Sequence, residues 1–423
     1  MKQFKPVLWK VGFGAAIGLG AVLYCVPRAP SAPGIFNRIA NNSSILSPHV
    51  ARADIAASLG KSRITSDNLH LPYLPMEMNG KSYHAHLTLD RALQEKIERI
   101  YERYNPAYAA FVALDPATGK VLAIVDYSNE AHTENLALRA SYPSASVFKV
   151  ITSAAAIAQN KAQANTLIPV NGAFGTLYKR NLRATNNRWT RFVSMEEAFA
   201  KSVNSAFGKI AMNRLGAATL QAYANQFGFN RKIPFDLDVD PATAIIPNDD
   251  WFGLAESGSG YTQRQTMSPI LGALIPAAII NGGKMPAPYM VDEVTTPRGA
   301  VVYTANPGIL SHPLNSDSAK ALSMVMENTV IRGTARKEFR DYNRHPVLSK
   351  VFVGAKTGSL SGTNPRGRYD WFVGFAQSSK DPKQKIAFAS LIINRQYWRV
   401  KASHVAREAI IQYFGSRKTA ADL

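Results

Sequence analysis

Ser146 and Lys149 stand three residues apart in the run Ser146-Val147-Phe148-Lys149. In a helix that spacing puts a hydroxyl and an amine on one face. A serine hydroxyl is a weak nucleophile until a neighbouring base takes its proton. Lysine is such a base only as the neutral amine, a state favoured by burial and by a second cation close by. Lys356, at the head of Lys356-Thr357-Gly358, is a candidate for that second cation, and Ser202-Val203-Asn204 stands between the two lysines in the chain. Two hydroxyls, two amines and an amide suit nucleophilic acyl transfer. The same short patterns recur at Ser58 to Lys61 and at Ser66 to Asn68, where no supporting context accompanies them.

The surroundings of Ser146 are those of a buried helix. Val147, Phe148, Val150, Ile151, Ala154, Ala155, Ile157 and Ala158 form an apolar segment free of Gly and Pro. Pro143 marks a turn ahead of it, so Ser146 is predicted in the first helical turn, near free N–H groups and the positive end of the helix dipole. Ser194 and Glu197 have capping-box spacing and open a helix that runs to Lys201. Phe207, Ile210, Ala211 and Leu215 continue at helical spacing to Gly216, which makes Ser202 to Asn204 a tight helix-to-helix connection. Lys356 to Gly358 are expected to end an apolar strand beginning at Val351. Strands at Tyr369 to Phe375 and Ile386 to Ile393 follow in antiparallel succession.

In their order the three motifs form an S-x-x-K, S-x-N, K-T-G set, and with them the chain resembles the penicillin-binding transpeptidase domains. The similarity extends to His86-Leu87-Thr88-Leu89-Asp90, to Ala113 through Lys120, to Gln265-Thr266-Met267-Ser268-Pro269, to Asn328 through Ala335 and to Asp370-Trp371-Phe372-Val373-Gly374. The fold implied is α+β: an antiparallel sheet flanked by helices on both faces with an all-helical lobe, preceded by one N-terminal transmembrane helix. The resemblance implies that Ser146 is the nucleophile and Lys149 its base. It further implies that Ser202 relays a proton to the leaving amine and Asn204 bonds the substrate's peptide carbonyl. Lys356 and Thr357 would hold a substrate carboxylate, Gly358 would allow close approach of substrate backbone, and the N–H groups of Ser359 and Ser146 would form an oxyanion hole.

Two departures stand out. The family usually carries Pro-Gly before the nucleophile, whereas Pro143-Ser144-Ala145 precedes Ser146, so a local turn difference is expected. No Glu-x-x-Leu-Asn loop occurs between the second and third motifs, which leaves Glu256 as the candidate base for deacylating water.

Location is read from the amino terminus. Lys2, Lys5 and Lys10 precede the uncharged run Val11 to Val26; counted from Pro6 this is 21 residues, about 31 Å as a helix and close to a bilayer core. The basic end is expected in the cytoplasm and the catalytic domain outside it. A cleaved signal peptide, with Ala29 to Ser31 as its site, is the competing reading. The expected organisation is a cytoplasmic tail at 1–10, a signal-anchor at 11–27, a linker and small module at 28–84, the transpeptidase domain at 85–415 and a tail at 416–423. Cys25, the only cysteine, falls in the anchor, so the domain cannot form an internal disulfide.

The formal charge is +20, from 49 basic and 29 acidic residues. In an exported domain the partner expected for such a surface is an anionic wall polymer or lipid head group rather than nucleic acid. Lys179, Arg180, Arg183, Arg188 and Arg191 cluster between the first two motifs and read either as a solvated loop or as a wall-polymer contact. His84 and His86 share a strand face without a third ligand at zinc spacing, so no metal is expected, and the chemistry needs no cofactor. The expected partners are peptidoglycan stem peptides, β-lactams, the membrane and a cell-wall synthesis complex. D,D-transpeptidation is the expected reaction. D,D-carboxypeptidase or β-lactamase outcomes, and a non-catalytic penicillin-binding scaffold or sensor, are the alternatives.

Overall fold

A five-stranded antiparallel sheet lies at the centre of the molecule, and its alternation of side chains explains why its strands are apolar throughout. The computed structural model describes residues 50–61, 69–130, 135–183 and 186–416. The sheet runs in the order Val351–Thr363, Arg366–Ser378, Lys385–Asn394, Tyr108–Leu114, Val121–Ser128. Ala110, Val112, Trp371, Val373, Ala389 and Leu391 face one core, and Phe111, Ala113, Phe372, Phe388 and Ile392 face another. Successive side chains point to opposite faces, so a sheet covered on both sides reads as continuous hydrophobic runs.

Helices cover the two faces. On one side lie Arg91–Tyr104 and the C-terminal helix Ala402–Gly415. Asp90 caps the first by accepting from the Leu93 N–H at 3.1 Å; Leu93, Ile97, Ile100 and Tyr101 make its buried stripe, and Asn105 in the left-handed region (φ 48°) ends it. On the other side Pro269–Ile280 is buried along its length from Pro269 to Ile279. Ser268 is its N-cap and Pro269 sits where a missing N–H costs nothing. Beyond this central helix lie the shorter helices that carry the first two motifs.

Two differences from the sequence reading affect the architecture. Residues 74–87, assigned largely to a separate module, form a hairpin turned at Asn79-Gly80, both in the left-handed region. Its strand Lys81–Leu87 pairs with Val291–Thr295, while Leu74, Met76 and Tyr83 enter the main core. His84 stacks on Tyr73 at 3.8 Å and His86 lies 3.1 Å from the Thr295 hydroxyl, so both histidines have packing partners within this sheet. Second, the strand expected to end at Gly358 continues to Thr363, where it turns into its neighbour. The segments expected as cytoplasmic tail and anchor, 1–10 and 11–27, lie outside the described residues, as does residue 417 onward; among the described residues no helix is long and apolar enough to cross a membrane.

One contact joins the lobe to the turn before Ser146. The helix Trp251–Ser259 ends at Gly260 in the left-handed region, and a Cβ there would stand 1.9 Å from the Ala145 carbonyl oxygen. No rotamer relieves a clash with backbone. Gly260→Ala is therefore expected to destabilise the fold by about 1–3 kcal/mol, measured as a lower urea midpoint; an unchanged midpoint would show that this contact is not tight.

Candidate active site

Ser146 sits in a single 3₁₀ turn, Ala145–Phe148, that leads directly into the helix Lys149–Ala158. Ala145, in the position the family usually gives to glycine, adopts φ 48°. A left-handed conformation costs an L-residue about 1–2 kcal/mol, and this strained alanine is the local turn difference expected from the sequence. The turn brings Ser146 Oγ and Lys149 Nζ to 2.7 Å.

Lys149 is completely buried, and two further oxygen acceptors complete the surroundings of its amine. Nζ donates to Asn204 Oδ1 at 2.7 Å and to the Ser259 carbonyl at 2.6 Å. The Asn204 amide is oriented by its own Nδ2, which donates to the Gly175 carbonyl at 2.9 Å. Both partners of Nζ are thus pure acceptors. As an ammonium Nζ donates to all three oxygens; once neutral it keeps two N–H bonds for these acceptors and has one lone pair free to accept from the Ser146 hydroxyl. Burial first, and then the nearby Lys356 charge, hold the Lys149 pKa well below that of an ordinary lysine.

Ser202 occupies the connection between the helices Met195–Ala200 and Asn204–Ile210. The first begins at the expected cap, with Ser194 Oγ accepting from the Glu197 N–H at 3.2 Å. Ser202 itself is left-handed, φ 55°, and this turn aims its hydroxyl into the cleft, where it accepts from Lys356 Nζ at 3.0 Å. Lys356 is completely buried as well; its second bond goes to the Thr357 carbonyl at 2.8 Å, and burial lowers its pKa to about 7. Among the described residues neither lysine has a carboxylate partner. Aromatic rings stand nearby instead, Phe207 at 5.8 Å from Lys149 Nζ and Phe199 at 5.6 Å from Lys356 Nζ.

The third motif lies within the edge strand of the central sheet, so one side of Lys356 to Ser361 has no neighbouring strand. A Cβ on Gly358 would come within 3.0 Å of Val147 Cγ2 and 3.3 Å of the Ser144 carbonyl, which is why the strand can lie against the Ser146 turn. Trp371 Nε1, on the adjacent strand, donates to the Pro143 carbonyl at 2.9 Å and ties the same two segments from below. Ser146, Ser202, Asn204, Thr357, Gly358 and Ser359 line one cleft of about 610 Å³, with Lys149 and Lys356 buried behind its wall. All eight residues singled out in the sequence therefore meet in one place.

Several contributors are not among the site residues expected from the sequence. The Ser259 carbonyl and Gly260 reach the site from a helix end; Thr334, within the Asn328 to Ala335 stretch that carries part of the resemblance, meets the Thr357 hydroxyl at 2.6 Å from across the cleft. Tyr261, Gln263 and Arg368 also line it, and Gln263 donates to the Ser361 carbonyl on the edge strand. Glu256, the candidate for activating water, is not among the lining residues; burial pushes its carboxyl above the usual range.

The family model for the penicillin binding protein transpeptidase domain matches residues 109–412. Peptidoglycan D,D-transpeptidase PbpA of Mycobacterium tuberculosis is 29% identical over 326 residues, covering 69% of this chain and 63% of that protein. Stage V sporulation protein D of Bacillus subtilis is 25% identical, over 70% of this chain and 48% of its own length. The chain thus spans under two thirds of the length of these relatives. The crystal structure of PBPA from M. tuberculosis superposes with a TM-score of 0.64 at 26% identity, covering 78% of this chain and 82% of that one. Its penicillin G acyl-enzyme complex gives a TM-score of 0.60 at 26% identity, covering 78% and 80%. With the matched domain taking in the sheet, the lobe and all three motifs, the chain belongs to the penicillin-binding protein transpeptidase domain family.

Proposed function

We propose that this protein is a membrane-anchored peptidoglycan D,D-transpeptidase that works outside the cytoplasm and is acylated by β-lactams. The observation that carries the reading is the 2.7 Å approach of a fully buried, carboxylate-free Lys149 amine to the Ser146 hydroxyl in an open cleft. The similarity to D,D-transpeptidase PbpA supports the choice of reaction, and the basic, apolar amino terminus supports the anchor.

On this reading Lys149 takes the Ser146 proton as Oγ attacks the carbonyl of the penultimate D-alanine. The N–H groups of Ser146 and Ser359 hold the oxyanion, Asn204 bonds a substrate amide, and Lys356 with Thr357 holds the terminal carboxylate. Collapse breaks the peptide bond; Ser202 passes the proton to the departing D-alanine amine and leaves an ester on Ser146. An amine of a neighbouring stem then attacks the ester, gives its proton to Lys149 and restores the hydroxyl. With a β-lactam the bond broken is the ring amide, so the leaving nitrogen stays tethered.

Penicillin G added to the full chain is expected to give a long-lived covalent adduct in the intact mass, absent in Ser146→Ala. Decay of the adduct within about a second would assign a β-lactamase instead, and no adduct would remove the catalytic reading.

The two lysines set the pH dependence. Lys149 must be neutral, so acylation falls as pH drops below its depressed pKa. Lys356 must be charged to hold a carboxylate, so the second-order acylation constant falls as pH rises through about 7. These are apparent values of a coupled pair. At saturating β-lactam the bound carboxylate keeps Lys356 protonated, and the alkaline limb should move upward. A second-order constant that keeps rising to about pH 10, the range of an ordinary lysine, would contradict the assignment of Lys356.

A further inference from the structure

The wall of the cleft beside Asn204 continues into a surface that the catalytic chemistry does not use. Between the paired strands Leu167–Val170 and Arg191–Ser194 the chain makes a long excursion. From Asn171 to Phe192 it holds five cations, Lys179, Arg180, Arg183, Arg188 and Arg191, and no carboxylate. All five are exposed, and among the described residues none is paired with an acid. Large rings are interleaved with them: Trp189 is 69% exposed and Phe192 56%. The Arg188 guanidinium lies 4.7 Å over Trp189, and that of Arg191 lies 4.3 Å over Phe174. Solvation alone explains exposed cations but not exposed rings beside them.

This excursion is fastened to the active site. The Phe174 carbonyl accepts from the Asn204 N–H at 2.8 Å, and Gly175, whose carbonyl orients the Asn204 amide, lines the cleft. Leu177 and Leu182 are buried against Ala255, and Asn181 Nδ2 donates to the Asn171 carbonyl at 2.9 Å. The stretch from Phe174 to Leu182 is thus held as a shelf beside the cleft.

We propose that this shelf binds the glycan strand that carries the stem peptides, an inference that rests on the proposed peptidoglycan substrate. The strand presents apolar C–H faces of its sugars, which suit exposed rings, and carboxylates along its attached peptides, which suit unpaired cations. A stem peptide lying in the cleft must leave it toward its polymer, and the shelf begins at the cleft wall. A flat lipid surface has no comparable reason to meet the cleft.

The test compares the full chain in neutral detergent with Arg180→Ala/Arg183→Ala/Arg188→Ala and with Trp189→Ala, none of which lines the cleft. Binding is measured for soluble uncross-linked glycan strands bearing stem peptides, for the free stem pentapeptide, and for nanodiscs of phosphatidylglycerol lacking peptidoglycan. The triple variant is expected to bind the strands about tenfold more weakly, since each exposed ion pair contributes a few-fold at most. The difference should shrink as salt rises, and pentapeptide binding and penicillin acylation should not change. Equal strand affinity in variant and wild type overturns the proposal. So does a loss confined to the nanodiscs, which would give the shelf to lipid. If the wild type is not acylated by penicillin yet the variants lose strand binding, the shelf stands and the acyl-transfer reading falls.

Discussion

Two lysine amines are buried within one cleft wall with no carboxylate to balance them, and the rest of the site follows from that arrangement. Removing an ammonium from water costs several kcal/mol unless it is paired, so each amine gains stability in the fold by giving up its proton. Pairing either with a carboxylate would secure the charge and abolish the base. The partners that are present, an amide oxygen, two backbone carbonyls and hydroxyls, with the faces of Phe199 and Phe207 nearby, satisfy N–H bonds without a carboxylate. Each lysine also disfavours the charge of the other. On the proposed reading, the proton acceptor beside Ser146 is therefore a consequence of where the fold buries Lys149.

Such placement needs close packing of segments far apart in sequence, and the backbone shows where it is forced. Ala145 and Ser202 are both left-handed without being glycine, one just before the first motif serine and the other the second motif serine itself. Both turns are over-determined by their surroundings: Gly260 and Gly358 permit the approach to the first, and Lys356 binds the hydroxyl of the second. Strain of this kind persists only where neighbouring structure enforces it. The Trp371 bond to Pro143 belongs to the same enforcement, joining the sheet to the chain just ahead of Ser146.

What the sequence revealed and what it hid separate by range. The Ser146 and Lys149 pair was legible because three residues along a helix is a fixed distance, and the Ser194 cap was legible because its partner is three residues on. The apolar strands were legible because both faces are covered. Contacts between distant segments left no such trace. Nothing around Ser259 announces that its carbonyl meets Lys149, and the resemblance that marks Asn328 to Ala335 does not say which hydroxyl Thr334 touches. Residues 74–84 read as part of a small module because nothing local shows the partner of their strand; the pairing of Lys81–Leu87 with Val291–Thr295, some two hundred residues away, is a property of the sheet alone. The apolar pattern from Val351 stops at the third motif while the strand continues to Thr363, and the missing side chain of Gly358 is what lets it run past the serine turn.

On the proposed reading, acylation and deacylation use the same base, so the products depend on which nucleophile reaches the ester. Water needs no binding site but does need a base; an amine needs to be held, and good positioning raises its effective concentration by orders of magnitude. The cleft suits the second case. Among the described lining residues the one carboxylate is that of Asp370, already accepting from the Ala402 N–H at 2.9 Å and raised by burial to about 7, and Glu256 does not reach the cleft. Water arriving at the ester can give its proton to Lys149, as an incoming amine does. Discrimination then falls to groups that can hold a peptide chain, the free edge of the strand at Ser359 to Ser361 with Arg368, Tyr261 and Gln263 around it. An extended acceptor gains backbone and side-chain bonds there that water cannot make, and on the proposed reading those bonds, rather than the choice of base, favour the amine over water.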